Sequence, residues 1–203
     1  MRFSLFLLVG GLLALLLSAC AVNGELRIRN RTAADIYASV DDSEPWHLEA
    51  WTNRSQLYPE NKTVGISYIG DYVFPNSVSH EVRQNLVTTL DIPPDGGAIR
   101  LFNDAGDIAI TEVYISPADD PGWGENDLSG MLAPADSTLW TITEGIWDVK
   151  VLDAALNAHY LYGLAVTLNQ TLPLKISAFS KGGKGRGIDR KSPGNETLDK
   201  DGS

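Results

Sequence analysis

The chain has 203 residues, with 16 Lys or Arg against 26 Asp or Glu, a formal net charge of −10 and a single cysteine. That balance argues against nucleic acid as a partner, because phosphates demand basic side chains. With no second thiol there is no intrachain disulfide, so stability must come from buried cores.

The chain opens on Arg2, runs through almost uninterrupted apolar sequence from Phe3 to Leu17, and reaches Leu17-Ser18-Ala19-Cys20. A basic start, an apolar core and a small-residue cleavage site form an export signal. The apolar run is too short, and wrongly flanked, for a membrane-spanning helix. Leu-Ser-Ala-Cys resembles the lipobox of bacterial lipoproteins. That resemblance implies cleavage between Ala19 and Cys20, a diacylglycerol thioether on Cys20 and acylation of its new amino group. Residues 1–19 are then the signal peptide and residues 20–22 the acylated start of the mature chain. Ala21 and Val22 follow the cysteine with no Asp, which by the enteric sorting rule points to the outer membrane of the cell envelope. Ordinary cleavage near Ala19 or Ala21, releasing a soluble protein, is the alternative.

The mature body carries an internal duplication. Gly24-Glu-Leu-Arg-Ile-Arg-Asn30 matches Gly97-Ala-Ile-Arg-Leu-Phe-Asn103, and Asp35–Ser39 matches Glu112–Ser116. Asp42 and Trp46 fall in step with Asp119 and Trp123, Lys62–Val64 with Ser137–Leu139, Gly70 with Gly145, and Leu90-Asp-Ile92 with Leu174-Lys-Ile176. Two units are expected, residues 23–94 and 95–179, joined at Pro93-Pro94-Asp95-Gly96. Leu26 and Ile28 alternate with Arg27 and Arg29, and Thr138, Trp140 and Ile142 show the same period of two. Short β-branched and aromatic runs broken by Pro, Gly, Asn and Asp predict an all-β chain of two small tandem β-sandwich, immunoglobulin-like units. Val78–Leu86 and Asp127–Leu132 each have the composition for a helical turn or two. Residues 180–203, glycine-rich, basic and almost free of apolar side chains, are expected to be a disordered tail.

The second unit resembles an uncharacterised bacterial exported module, through Asn103, Val113-Tyr-Ile-Ser-Pro117, Trp123-Gly-Glu-Asn-Asp127-Leu128 and Gly145-Ile-Trp-Asp148-Val-Lys-Val151. The module's pattern runs V-Y-I-S-P, W-G-x-D-x-L, then Y-D-x-R-V. The chain departs from it by inserting Asn126, by Ala135-Asp136 in place of Pro-Gly, and by Trp147 in place of Tyr. The resemblance implies a compact β-sandwich and brings no activity with it.

Candidate chemistry is sparse. Asp119, Asp120, Glu125 and Asp127 crowd one glycine-bearing loop, and hard cations such as Ca²⁺ favour several oxygen ligands on a flexible turn. The spacing is not that of an EF-hand, and a solvated turn whose carboxylates cap backbone amides is the structural alternative. Trp46 and Trp51, in a polar stretch with His47, Glu49 and Asn53, are candidates for an exposed aromatic patch that stacks on a glycan. Trp140 and Trp147 read as core, and Trp123 as a plug at a sandwich end. No pair of histidines has zinc spacing, and Gly65–Gly70 is one residue too long for a nucleophile elbow. No catalytic residue is assigned. The sequence therefore predicts a non-catalytic lipoprotein held to the bilayer through Cys20, with a structural or interaction role and an envelope protein or glycan as partner. A ligand-binding module for glycan or calcium is the second reading, and a hydrolase the third.

Overall fold

The computed structural model describes residues 23–184, which form fourteen strands and one 3-10 turn. The chain divides into two compact units at Pro93–Pro94. Residues 1–22, with Ala19, Cys20 and the expected export signal, and everything beyond Lys184 lie outside the described residues.

The first unit contains β1 (Gly24–Asn30), β2 (Ile36–Val40), β3 (Trp46–Leu48), β4 (Asn53–Tyr58), β5 (Lys62–Gly70), β6 (Val73–Val82) and β7 (Val87–Ile92). They make a three-stranded sheet, β4-β1-β7, and a four-stranded sheet, β3-β2-β5-β6. β1 runs antiparallel to β4 and parallel to β7. Its period of two buries Leu26 and Ile28 completely and leaves Arg27 and Arg29 half-buried on the other face. Leu26 and Ile28 meet Ile36, Val64, Ile66 and Ile92 in one core drawn from both sheets. Fully burying an aliphatic side chain of this size contributes about 1.5–3 kcal/mol.

The second unit repeats the plan with β8 (Gly97–Phe102), β9 (Ile110–Pro117), β10 (Ser137–Ile142), β11 (Gly145–Asp153), β12 (Asn157–Val166), β13 (Thr171–Lys175) and β14 (Ser180–Lys184). β8 holds an antiparallel β10 on one side and a parallel β13 on the other, as β1 holds β4 and β7. The second sheet is β14-β12-β11-β9, so β9, β11 and β12 stand where β2, β5 and β6 stand in the first unit. Its core gathers Ile99, Leu101, Ile110, Val113, Val149 and Val151 among others. Both units are thus seven-stranded β-sandwiches of immunoglobulin-like class, related by duplication.

The register makes the duplication specific. Leu90 lies opposite Ile28 and Leu174 opposite Leu101, which are matched positions of β1 and β8. Gly24 and Gly97 open the first strands under the same constraint. A Cβ on Gly24 would stand 2.5 Å from the Arg83 carbonyl oxygen, and one on Gly97 would stand 2.4 Å from that of Thr167. A buried asparagine stands at the end of each first strand: Asn30 is the last residue of β1, and Asn103 follows directly on β8.

Four expectations are corrected. Lys62–Val64 lies on β5 and Ser137–Leu139 on β10, which are not equivalent strands. The counterpart of β10 is β4, an edge strand too polar and exposed to show a periodic signal. Gly70 closes β5 whereas Gly145 opens β11, so they too are not counterparts. Val78–Val82 continues β6, because every one of its residues pairs with β5, and no helix forms there or at 127–132. Ser180–Lys184, assigned to a disordered tail, is β14, paired with β12. Glycine is the reason such a polar segment can dock: a Cβ on Gly182 would stand 2.3 Å from the Tyr160 ring, so the bare backbone lies directly under it.

Each unit adds one device at a different edge. The first covers the edge of β2 with β3, and the second covers the edge of β12 with β14. Open strand edges invite pairing with other chains, and such covers blunt them.

Candidate functional site

The acidic loop between β9 and β10 is stitched onto the outer edge of β9. The Val113 N–H donates to Asn126 Oδ1 at 2.9 Å, the Asp127 N–H donates to the Val113 carbonyl at 2.8 Å, and the Ile115 N–H donates to Asp127 Oδ2 at 2.8 Å. Two side chains and one backbone group therefore do for β9 what strand β3 does for β2. Asp120 Oδ1 accepts from the Gly122 N–H at 2.8 Å, an Asx turn. Desolvation around the Asp127 carboxyl raises its pKa, and the Ile115 N–H partly opposes that rise.

Among the described residues no group of three or more His, Cys, Asp or Glu converges on a point where an ion could sit. The candidate ligands Asp119, Asp120, Glu125 and Asp127 are near in sequence without forming a cage. Asp120 and Asp127 direct oxygens at backbone amides, as in the solvated-turn alternative.

Trp46 and Trp51 part company. Trp46 sits on β3 opposite Ala38, is buried in the core of the first unit, and carries the Arg54 guanidinium 4.7 Å from its ring centroid. Its polar neighbours in sequence concealed an inward-facing side chain, so its face is not offered to a sugar. Trp51 is 61% exposed and holds the left-handed backbone region at φ 61°. A bulky residue seldom adopts that conformation. It is the only tryptophan among the described residues that stands largely in solvent.

Trp123 does not close a sandwich end. Its ring lies 5.9 Å from Tyr160 and 6.0 Å from Tyr162, on the outer face of β12, where those two rings stack on each other. Ser116 Oγ donates to the Gly122 carbonyl at 2.8 Å and ties the loop down across that face. Two charged residues of β11 are buried there. The Lys150 ammonium lies 5.3 Å from the Tyr114 ring centroid, and Asp148 Oδ1 accepts from the Gly163 N–H at 2.8 Å. In the first unit the corresponding face is open, with Tyr37 and Ile69 about half exposed over a groove of about 460 Å³.

A buried pair that sequence reasoning missed lies at one end of the second unit. The His159 Nε2 is 3.1 Å from Asp153 Oδ2, and both residues are buried. Asp153 also accepts from the backbone N–H groups of Ala155 and Asn157 and from Asn157 Nδ2. Burial alone would raise the Asp153 pKa, but the Asn157, His159 and Ala155 hydrogen bonds outweigh it and hold the carboxyl below its usual range. A cavity of about 360 Å³ adjoins the pair, lined also by Ser177, Phe179 and Lys181. Ser177 Oγ donates to Asp104 at 2.6 Å, so this cavity-lining hydroxyl is engaged by a carboxylate other than Asp153. The only signal in the sequence was Asp-Ala-Ala-Leu-Asn-Ala-His, a turn composition that does not distinguish this pair from any other Asx turn.

No protein-family model matches the chain, and no curated protein does. Among solved structures it is similar to the Bacillus anthracis TIE protein, at 12% identity over 76% of this chain and 33% of that one, with a TM-score of 0.29. The chain therefore spans about a third of that protein's length. It is similar also to a DUF3823 family protein from Bacteroides ovatus, at 13% identity over 72% of this chain and 99% of that one, TM-score 0.26. A minor pilin of Streptococcus agalactiae is 8% identical over 82% of this chain and 100% of that one, TM-score 0.28. At such identities no site residue carries over from these proteins. Among the described residues no helix is long and apolar enough to cross a membrane.

Proposed function

We propose that the protein is a non-catalytic lipoprotein of the bacterial cell envelope, with two sandwich units displayed from an acylated Cys20 in a structural or interaction role. The observation that carries this reading is the placement of the only cysteine, directly after Leu17-Ser18-Ala19 and four residues before β1 begins at Gly24. Three acyl chains, each buried methylene contributing about 0.8 kcal/mol, would hold the protein to a bilayer without a spanning helix. The absence of Asp after Cys20 supports the outer membrane as the destination.

The disposition of polar side chains supports a non-catalytic role. Of the loop carboxylates, Asp127 caps the β9 edge and Asp120 closes a turn, while the buried Asp153 carboxylate is engaged by Ala155, Asn157 and His159. The expected partners are the bilayer, through Cys20, and an envelope protein or glycan. Trp51, exposed and held in a strained backbone conformation, supports an aromatic contact at the far end of β1 from the anchor.

Metabolic labelling with a clickable palmitate analogue tests the reading. The full-length protein should take the label and fractionate with the outer membrane, and Cys20→Ala should lose both properties. A protein that fractionates as soluble without label would overturn it.

A further inference from the structure

The two units serve as controls for each other, and one difference between them stands at the end of the fold nearest the anchor. In the first unit, Glu25 of β1 lies between Leu57 on β4 and Val87 on β7, and its N–H donates to the Leu86 carbonyl at 2.9 Å. In the second unit, Ala98 of β8 lies between Thr141 on β10 and Thr171 on β13, and its N–H donates to the Gln170 carbonyl at 2.9 Å. The backbone arrangement is the same, yet Leu57, Leu86 and Val87 correspond to Thr141, Gln170 and Thr171.

All three aliphatic side chains are more than half exposed, at 61%, 55% and 53%. The fold does not demand them, because the sister unit keeps the same strands with polar residues. The one charge between them is drawn aside: Glu25 Oε1 accepts from Ser55 Oγ at 2.7 Å and from the Arg27 guanidinium at 2.7 Å, further along the strands. The patch therefore presents hydrocarbon.

We propose that Leu57, Leu86 and Val87 are a lipid-contact surface, through which the first unit rests on the bilayer that holds Cys20. The proposal rests on the reading of Cys20 as acylated. Only residues 21–23 separate that cysteine from Gly24, and four Cα steps span at most about 14 Å. Strands neighbour one another at about 4.8 Å, so Leu57 and Val87 flank the tethered end of β1 within one strand spacing. Electrostatics offer no substitute contact. Residues 21–180 hold nine basic and 22 acidic side chains, so attraction to anionic headgroups is weak and adhesion must be apolar.

The test uses the full chain matured in cells and reconstituted into phosphatidylethanolamine–phosphatidylglycerol vesicles. Leu57→Cys, Val87→Cys and, at the other end of the same sheet, Asn53→Cys are each labelled with a polarity-sensitive fluorophore. The unsubstituted protein should take no label, because a thioether blocks Cys20. Label on it would show that the anchor is missing and would remove the basis of the proposal. With Cys20 blocked, fluorophores at positions 57 and 87 should be quenched by iodide several-fold less than one at position 53. Equal quenching at all three overturns the lipid contact and leaves the anchor standing. Hydrogen exchange supplies a readout without labels. Binding to vesicles should slow exchange around residues 84–88 several-fold in the parent but not in the variant Leu57→Thr/Leu86→Gln/Val87→Thr, whose side chains the sister unit already tolerates. Equal slowing in both proteins also overturns it.

Discussion

Asn30 and Asn103 are the same clasp built twice. Asn30 Nδ2 donates to the carbonyls of Ala34, Leu48 and Glu49, at 2.7, 3.2 and 3.0 Å, and its Oδ1 accepts from the Thr32 N–H at 2.8 Å. Asn103 Nδ2 donates to the carbonyls of Ile108 and Leu132, at 2.9 and 3.1 Å, and its Oδ1 accepts from the Ala105 N–H at 3.2 Å. Both side chains turn the chain out of the first strand and fasten it to the segment beside the second. Substituting Ala would strand the Thr32 N–H in the first unit and the Ala105 N–H and Ile108 carbonyl in the second, at about 1–3 kcal/mol for each such group, whereas the Ala34, Glu49 and Leu132 carbonyls keep donors from Thr32, Thr52 and Ile110. Asn30→Ala should lower the stability of the first unit, and Asn103→Ala that of the second, by about 2–4 kcal/mol. Hydrogen exchange resolved by unit measures each effect.

Asp153 gives the second unit a definite acid sensitivity. Its folded pKa is held below the ordinary carboxylate value, so the ionised form favours the folded state. That contribution is fully present above the unfolded pKa and is lost as pH falls through the lower folded pKa. Urea midpoints measured from pH 7 down to pH 2 should show the parent losing stability across that acid window. Asp153→Asn should be less stable at pH 7 and show a flatter decline. Asp153→Ala, which strands the Asn157 and His159 donors, should cost about 3 kcal/mol at pH 7.

Asp127 has the opposite sign. Its folded pKa is raised, so the ionised form is the disfavoured one in the fold, and stability tied to this group declines as pH rises through the folded pKa. Asp127→Asn keeps an acceptor for the Ile115 N–H and should match or exceed the parent at neutral pH. Asp127→Ala should cost about 1 kcal/mol and expose the β9 edge. If the loop were a calcium site, Ca²⁺ would raise the melting temperature of the parent. The edge-capping geometry predicts no shift between EDTA and millimolar Ca²⁺.

Gly182 and Tyr160 together set the docking of β14. Gly182→Val places atoms inside the Tyr160 ring and should release β14 from β12, with amide exchange at residues 180–184 rising by orders of magnitude. The rest of the second unit should lose about 1–3 kcal/mol at most.

Much of this architecture was legible in residue patterns. Leu26 and Ile28 alternating with arginines announced β1, and the shared Gly-to-Asn strand exposed the duplication because its glycine, apolar pair and asparagine each meet a rigid local demand. Strands that lacked an inward apolar face stayed hidden. β4 is polar along nearly its whole length, so its counterpart β10 was matched to the wrong strand. β14 docks by backbone against an aromatic ring and needs no apolar side chain at all. Trp46 looked exposed because its sequence neighbours are polar, although β3 carries it into the core. The acidic loop looked like an ion site because a carboxylate that caps a strand edge and one that binds a cation have the same composition; only the positions of the Val113 and Ile115 amides separate them.

Acylation of Cys20 is tested most directly by the mass of the mature N-terminal tryptic peptide, residues 20–27, from protein purified out of membranes. An acylated protein yields a peptide beginning at Cys20 that carries a diacylglyceryl thioether and an amide-linked acyl chain. An unmodified peptide beginning at Cys20 or Ala21 would contradict acylation.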